Sequence, residues 1–318
     1  MGNQKNIKSA IWGFIVGDAL GVPYEFTDRE TMKAFPATGM IGYGTHHQPA
    51  GTWSDDSSLM LCVLENLIHQ GGPRDLADSF VNWYTKGYMT AHGEVFDIGH
   101  TTRNAIDNLI AEVKPHLSGG NRVYSAGNGS LMRCLPYAFK EDISKSINSM
   151  IIENKITHRS HLCHLCCIFY VWFVKELLDG GDKLSAMKYA IACIKFRWNI
   201  SDDEEESTHL GWGNFKKLFA KGFSSLPESE IQSTGYVLST LEAVIWCFLN
   251  TDNYKDAVLK AVNLGGDTDT IAALTGGVAG LYYGYNSIQE EWISAVANPS
   301  IIISVLNKID TNTNNILI

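Results

Sequence analysis

Two short acidic segments carry the residue types best suited to chemistry. One is Gly51-Thr52-Trp53-Ser54-Asp55-Asp56-Ser57; the other, far downstream, is Gly265-Gly266-Asp267-Thr268-Asp269-Thr270. Each packs two carboxylates and several hydroxyls into a few residues at the start of an apolar stretch. Crowded carboxylates repel one another unless a cation or a proton neutralises them. A ligand set made only of oxygens suits a hard ion such as Mg²⁺ or Mn²⁺. If the two segments meet in space, they build a metal site. Taken singly, each also reads as a helix start, with Ser54 or Asp267 as the cap and Asp55 and Asp56 at the positive end of the helix dipole. One cap needs one oxygen, however, and each segment offers several.

Further residues stand out against this pair. Glu25 follows the apolar, glycine- and proline-bearing run Gly17-Asp18-Ala19-Leu20-Gly21-Val22-Pro23-Tyr24; its plain reading is an exposed loop acid. Ser125-Ala126-Gly127-Asn128-Gly129-Ser130 precedes an apolar run and exposes backbone N–H groups of the kind that hold anions. An ordinary tight turn has the same composition. His158 lies at a loop-to-helix junction, where it would orient a ligand or cap the helix. Asp97, followed by Gly99, is an isolated acid before another helix, either a cap or a substrate-facing group. His161, Cys163, His164, Cys166 and Cys167 crowd together, but no second cysteine pair completes a zinc pattern. They run into Ile168-Phe169-Tyr170-Val171-Trp172 and read as core packing residues.

The elements that must position these groups are helical. Lys8–Leu20, Leu59–Ile68, Asp75–Tyr84, Asn104–Glu112, His161–Leu178, Ser185–Phe196, Thr234–Leu249, Tyr254–Leu264 and Thr268–Tyr283 all read as helices, several of them apolar all round and hence central. Alternating strand patterns are scarce. The expectation is an all-α, compact single-domain bundle of about ten helices over residues 1–306, with 307–318 as a loosely held tail. The acidic run Asp202–Glu206 reads as a solvated loop.

The 318 residues are 45% hydrophobic, enough for a large core, and carry a formal net charge of −9. That charge argues against general nucleic-acid binding. No stretch is read as a membrane span or signal peptide, and seven cysteines without an export signal point to a reducing cytoplasm. Oligomeric state is silent.

In this order, Gly17–Gly21 with Glu25, Gly51–Ser57, Gly127–Arg133, Thr157-His158 and Gly265–Thr270 resemble the ADP-ribosylglycohydrolase family, across residues 13 to 283. The resemblance implies a single all-α domain with a central dinuclear Mg²⁺ or Mn²⁺ site. It implies hydrolysis of the glycosidic bond between ADP-ribose and an acceptor, either an ADP-ribosylated protein side chain or a small ADP-ribose conjugate. By position it makes Ser54, Asp55, Asp56, Asp267, Asp269 and Thr270 metal ligands. It places Ser125, Gly127, Asn128, Gly129, Ser130 and His158 around the phosphates and ribose. Glu25 matches an acid beside the metals, and Asp97 with Gly99 matches a segment near an arginine leaving group. Asp55 or Asp56 is then expected to activate water, with Asp97 or Glu25 assisting the acceptor's departure. Ser54 stands where many members carry Thr, and Arg159-Ser160 replaces a common proline; neither change removes a carboxylate. Two rivals remain at this point. One is a two-metal phosphohydrolase acting on a nucleotide; the other is a non-catalytic module that binds ADP-ribose.

Overall fold

The computed structural model describes residues 2–122, 125–198 and 215–311. Within them the chain forms fourteen α-helices. The first seven are α1 (Gly2–Gly21), α2 (Arg29–Ala34), α3 (Asp55–Ile68), α4 (Pro73–Lys86), α5 (His100–Ile110), α6 (Pro115–Ser118) and α7 (Ile143–Asn154). The second seven are α8 (His161–Leu178), α9 (Lys183–Trp198), α10 (Val237–Leu249), α11 (Tyr254–Asn263), α12 (Thr268–Tyr283), α13 (Glu290–Ala295) and α14 (Pro299–Thr311). Among the described residues there is no strand, only isolated bridges such as Gly120 with His158 and Gly127 with Tyr236. The expected all-α class is the observed one.

The centre of the fold is the pairing of α1 with α12, and its cause is side-chain size. Gly13, Gly17 and Gly21 repeat every fourth residue and so share one face of α1. Opposite them lie Ala272, Gly276 and Gly280 of α12. A Cβ at Gly17 would fall 2.1 Å from the Ala272 carbonyl oxygen, and one at Gly21 would fall 2.4 Å from the Asp269 Cα. The helices therefore touch backbone to backbone, closer than the usual spacing of packed helices. The contact brings Asp18 on α1 beside Asp269 at the start of α12.

Around this pair the apolar faces close. Helix α8 is apolar on nearly every face and packs on α9, α10 and α12. At 18 residues it is long and apolar enough to cross a membrane by length and composition, which corrects the expectation that no stretch is. Its residues are mostly buried inside the protein. Cys163, Cys166 and Cys167 are among them, and the metal-capable groups of the described residues contain no cysteine. The core-packing reading of these thiols therefore holds.

Helices α2, α6, α7, α13 and α14 were not expected from the sequence. Three of them are only four to six residues long, too short for an apolar period to register. Helix α7 is capped by Asp142, whose carboxylate accepts from Lys145 N at 3.0 Å. Helix α14 carries the chain through Thr311, past the expected tail boundary, with Ile309 buried. Residues 312–318 and the acidic run Asp202–Glu206 lie outside the described residues.

Candidate active site

The first acidic segment opens α3. Ser54 is its cap: the backbone is extended and the hydroxyl accepts from Asp56 N at 3.2 Å. Asp18 reaches across from α1 and gathers the same turn. Its carboxylate accepts from Ser54 N at 3.0 and 3.1 Å, from Ser57 N at 3.0 Å, and from the Ser57 hydroxyl. The approach loop is fixed from the far side, where Ala297 N donates to Gly51 O at 2.9 Å and Trp53 Nε1 to Ala297 O at 2.8 Å.

The second segment opens α12. Gly265 and Gly266 have φ of 69° and 74°, in the left-handed region that favours glycine. A Cβ on Gly266 would fall 2.0 Å from Ser233 O. Asp267 occupies the cap position, yet its side chain makes no cap bond. Instead its Oδ2 accepts from Asn128 Nδ2 at 2.6 Å. The capping reading thus accounts for Ser54 and fails for Asp267.

The two segments meet. Thr270 Oγ1 donates to Asp56 Oδ2 at 3.2 Å, and Ser54 Oγ donates to the same oxygen at 3.1 Å. One ligand atom each from Asp18, Asp56 and Asp269 lies within 4.8 Å of the others, and so does one each from Glu25, Asp267 and Asp269. Asp18, Glu25, Asp55, Asp56, Asp267 and Asp269 are all buried. Among the described residues no lysine or arginine pairs with any of them.

Two oxygens decide what this cluster fits. Asp56 Oδ1 and Asp269 Oδ2 are buried and have no hydrogen-bond partner. Their sister oxygens are occupied, Asp56 Oδ2 as above and Asp269 Oδ1 by Thr270 N at 2.9 Å. Buried acceptors are almost always satisfied. Two open ones in an all-oxygen cluster fit a hard divalent cation. Asp18 differs, because its oxygens are already engaged by α3; it orients the first segment.

Burial and mutual repulsion hold the protons on. Burial, then the charges of Asp97 and Asp56, push the Asp55 carboxyl well above the usual range. Asp56 and Asp269 are pushed up in the same way, by burial and then by neighbouring acids. Asp18 is raised to about 6 by burial, against the pull of its Ser57 and Ser54 hydrogen bonds. Burial and the charge of Asp267 take Glu25 up to about 8, while burial and the charge of Glu25 take Asp97 up to about 7. A divalent cation would offset both, by favouring the charged carboxylates.

Above the acids is a cavity of about 250 Å³ lined by Glu25, Phe26, Asp55, Asp97, Gly99, Gly127, Asn128, Gly129, His158, Asp267 and Thr270, with others of the α5 start. Asn128 ties its wall to its floor, since its amide donates both to Asp267 and to Thr240 Oγ1 at 3.0 Å. Arg133 stiffens the same loop from beneath. It is fully buried, donates to Gly129 O at 2.7 Å, and lies 4.9 Å from the Phe80 ring centroid. His158 is buried and bonds Thr157 Oγ1 through Nδ1 at 2.8 Å. Burial, then Arg133 and His164, lower it to about 3, so it faces the cavity neutral.

Of the residues singled out from the sequence, Ser54, Asp56 and Asp269 lie beneath the cavity and do not line it. Ser125 and Ser130 are buried behind the loop, the latter against the Cys167 thiol at 3.6 Å. Sequence reasoning gave no role to Asp18 and overlooked His46, whose Nε2 contacts Glu25 Oε2 and lies 3.9 Å from Asp97 Oδ1. A lone carboxylate inside an apolar helix was itself a signal for Asp18, since such a group is rarely buried unpartnered. Nothing comparable marks His46.

The chain is an all-helical domain with a buried acid cluster beside a glycine-walled cavity, and comparison gives its family. The model of the ADP-ribosylglycohydrolase family matches residues 2–315. The chain belongs to that family. It is 32% identical over 294 residues to an ADP-ribosylarginine hydrolase of Pseudomonas putida, covering 91% of this chain and 74% of the relative. It is 29% identical over 297 residues to the ADP-ribosyl-[dinitrogen reductase] glycohydrolase of Rhodospirillum rubrum, covering 90% and 88%. A solved structure described as an ADP-ribosylglycohydrolase-related protein complex superposes with a TM-score of 0.78 at 28% identity, covering 98% of this chain and 99% of that one.

Proposed function

We propose that this protein is a divalent-metal-dependent hydrolase that cleaves the bond between ADP-ribose and an acceptor, with two Mg²⁺ or Mn²⁺ ions held by Ser54, Asp55, Asp56, Asp267, Asp269 and Thr270. The observation that carries the reading is the pair of open buried oxygens, Asp56 Oδ1 and Asp269 Oδ2, in an acid cluster beside a cavity walled by Gly127–Gly129 and His158. When bound, such ions supply Lewis acidity toward the ribose hydroxyls and lower the pKa of water.

The chain's own residues do the rest. Asn128 fixes the phosphate-side loop to Asp267, and the glycine backbone lets a diphosphate approach without a side chain in the way. Neutral His158 adds a polar contact on that wall without a charge. Asp55 lines the cavity and is placed to take a proton from the attacking water. Cleavage passes through an oxocarbenium-like state, which the surrounding carboxylates stabilise. Asp97 and Glu25, whose carboxyls burial and neighbouring acids push upward, are placed to give a proton to the departing acceptor. Two acids on the acceptor side give a guanidino group both a proton donor and hydrogen-bond acceptors, and the Pseudomonas putida relative is named for ADP-ribosylarginine; arginine is the acceptor we favour.

The test is to incubate the protein, with Mg²⁺ and Mn²⁺ in turn, with arginine-, serine- and nucleobase-linked ADP-ribose and with O-acetyl-ADP-ribose. Release of intact ADP-ribose, fastest from arginine, is expected. Release of AMP or inorganic phosphate would instead mark a phosphohydrolase, and binding without turnover would mark an ADP-ribose reader.

A further inference from the structure

Phe26 departs in two ways from an ordinary aromatic residue. It is 70% exposed and lines the cavity, although Glu25 directly before it is buried in the acid cluster. Its backbone has φ of 62°, in the left-handed region where a bulky side chain is an outlier. Such strain persists only where the surrounding structure over-determines it, and it gathers at ligand-binding sites.

The surrounding structure does fix this backbone. Phe26 N donates to Gly266 O at 2.7 Å, and Gly266 N donates back to Thr27 O at 2.8 Å. Thr27 N closes onto Tyr24 O at 2.9 Å, and Thr45 Oγ1 donates to the Glu25 carbonyl at 2.6 Å. The segment that carries the ring is thus tied to the second acidic segment. The ring lies 6.3 Å from that of His46, centroid to centroid, with 54° between the planes. His46 in turn contacts the Glu25 carboxylate, lies 3.9 Å from Asp97 Oδ1, and has the Phe96 ring at 5.3 Å. The turn that presents it is left-handed on both flanks, at Tyr43 and His47, with φ of 71° and 54°. A fixed and exposed ring therefore stands on the side of the cavity that carries Glu25 and Asp97.

We propose that Phe26 is a specificity-determining residue whose ring receives the guanidino group of an arginine acceptor. The assignment rests on the hydrolase reading above and deepens its acceptor side. A guanidino group is planar and cationic, so it stacks on an aromatic face and is drawn to it by cation–π attraction. A serine or acetyl acceptor carries no cation and gains nothing comparable. Because the backbone under the ring is already fixed, the stack forms with little further ordering.

The experiment uses the full-length protein with whichever of Mg²⁺ and Mn²⁺ supports turnover. It measures kcat/KM for ADP-ribosylarginine beside the inhibition constant of free ADP-ribose, in the wild type, Phe26→Leu, Phe26→Trp and Phe26→Gly. Phe26→Leu keeps an apolar side chain and removes the π face. Its kcat/KM should fall about fivefold to tenfold, the size of a partly exposed cation–π contact, while ADP-ribose inhibits as before. Phe26→Trp, with the stronger face, should match or exceed the wild type. Phe26→Gly relieves the left-handed backbone, so it should melt no lower than the wild type and still lose at least as much kcat/KM as Phe26→Leu. Wild-type kcat/KM in Phe26→Leu, an equal loss of ADP-ribose affinity, or Phe26→Trp as slow as Phe26→Leu overturns the assignment and leaves the hydrolase reading standing. So does a Phe26→Gly variant that melts below the wild type, which would make the ring a packing residue. A wild type that releases ADP-ribose from serine-linked or O-acetyl substrates and not from arginine overturns the assignment and the arginine acceptor, with glycosidic hydrolysis retained. A wild type that releases no ADP-ribose from any of them overturns both.

Discussion

Removing a carboxylate from the acid cluster should stabilise the metal-free protein, although it destroys the site. Glu25 and Asp97 sit at about 8 and about 7, against ordinary values of 4.5 and 3.8. Between the ordinary and the raised value, the folded chain holds a proton that the unfolded chain has released. The stability such a group contributes is complete below its ordinary pKa and is lost as pH rises through the raised one. Buried His158, lowered to about 3, and His164, lowered to about 4, act in the opposite sense, up through the ordinary histidine range. From about pH 6.5 to 8 the carboxyls therefore dominate, while the two histidines together return about 0.8 kcal/mol as the unfolded chain gives up their protons. Over it Glu25 changes stability by about 2 kcal/mol and Asp97 by somewhat less than 1, at about 1.4 kcal/mol per pH unit. For a chain of this length the net loss of about 1.7 kcal/mol lowers the melting temperature by roughly 2 to 3 °C. A divalent ion at a hundred times its dissociation constant restores about 2.7 kcal/mol. Scanning calorimetry in chelator, and again in excess Mg²⁺ or Mn²⁺, should show a fall across this window in the first series that is offset in the second. In chelator at pH 8, Asp56→Asn and Asp269→Asn should melt above the wild type, since each removes a carboxyl that must take up a proton to be buried, while keeping the shape. Neither should respond to metal. A chelated melting temperature that is flat or rising from pH 6.5 to 8, or an Asp56→Asn variant less stable than the wild type at pH 8, would refute the reasoning.

Three other outcomes are expected. Asp55→Ala and Asp269→Ala should abolish metal-dependent turnover, a loss of more than about 10³-fold, with the helical circular dichroism spectrum intact; activity surviving in a chelator contradicts the metal reading. Asn128→Ala cuts the ties to Asp267 and Thr240, so it should raise KM for an ADP-ribosyl substrate about tenfold, for a loss of roughly 1.4 kcal/mol in steady-state kinetics. Gly17→Val should cost more than about 3 kcal/mol in denaturant unfolding, or prevent folding, because α1 has no room for a side chain against Ala272; an ordinary melt would mean that α1 and α12 are not packed backbone to backbone.

How much of this was legible in the sequence follows from the range of each interaction. Long apolar helices announce themselves by local pattern, so α3, α8, α10 and α12 were readable, whereas α2, α6 and α13 were too short to carry a period. The acidic segments were legible because each concentrates its chemistry within a few residues. That Asp56 and Thr270 touch was not, because their meeting depends on α1 lying against α12. The glycines that allow this were in view as Gly13, Gly17 and Gly21, but their spacing signals close approach without naming the partner helix. His46 was illegible for a different reason. It belongs to no periodic element, and its link to Glu25 is made by a strained turn whose backbone angles composition does not encode.

The same packing explains why the acids can be buried at all. Carboxylates of one sign cannot be gathered in a core by side-chain attraction, since each raises the others. They are held by groups that would be in place anyway: α3's first-turn N–H groups on Asp18, Thr270 N on Asp269, and Asn128 on Asp267. Each anchor takes one or two oxygens, and the carboxylates of Asp18, Asp56 and Asp269 each keep an oxygen within 4.8 Å of the others. Asp56 Oδ1 and Asp269 Oδ2 are therefore free because the backbone around them is fixed. A site preorganised in this way gives up little entropy when a cation arrives, and the repulsion stored in the metal-free state becomes affinity for it.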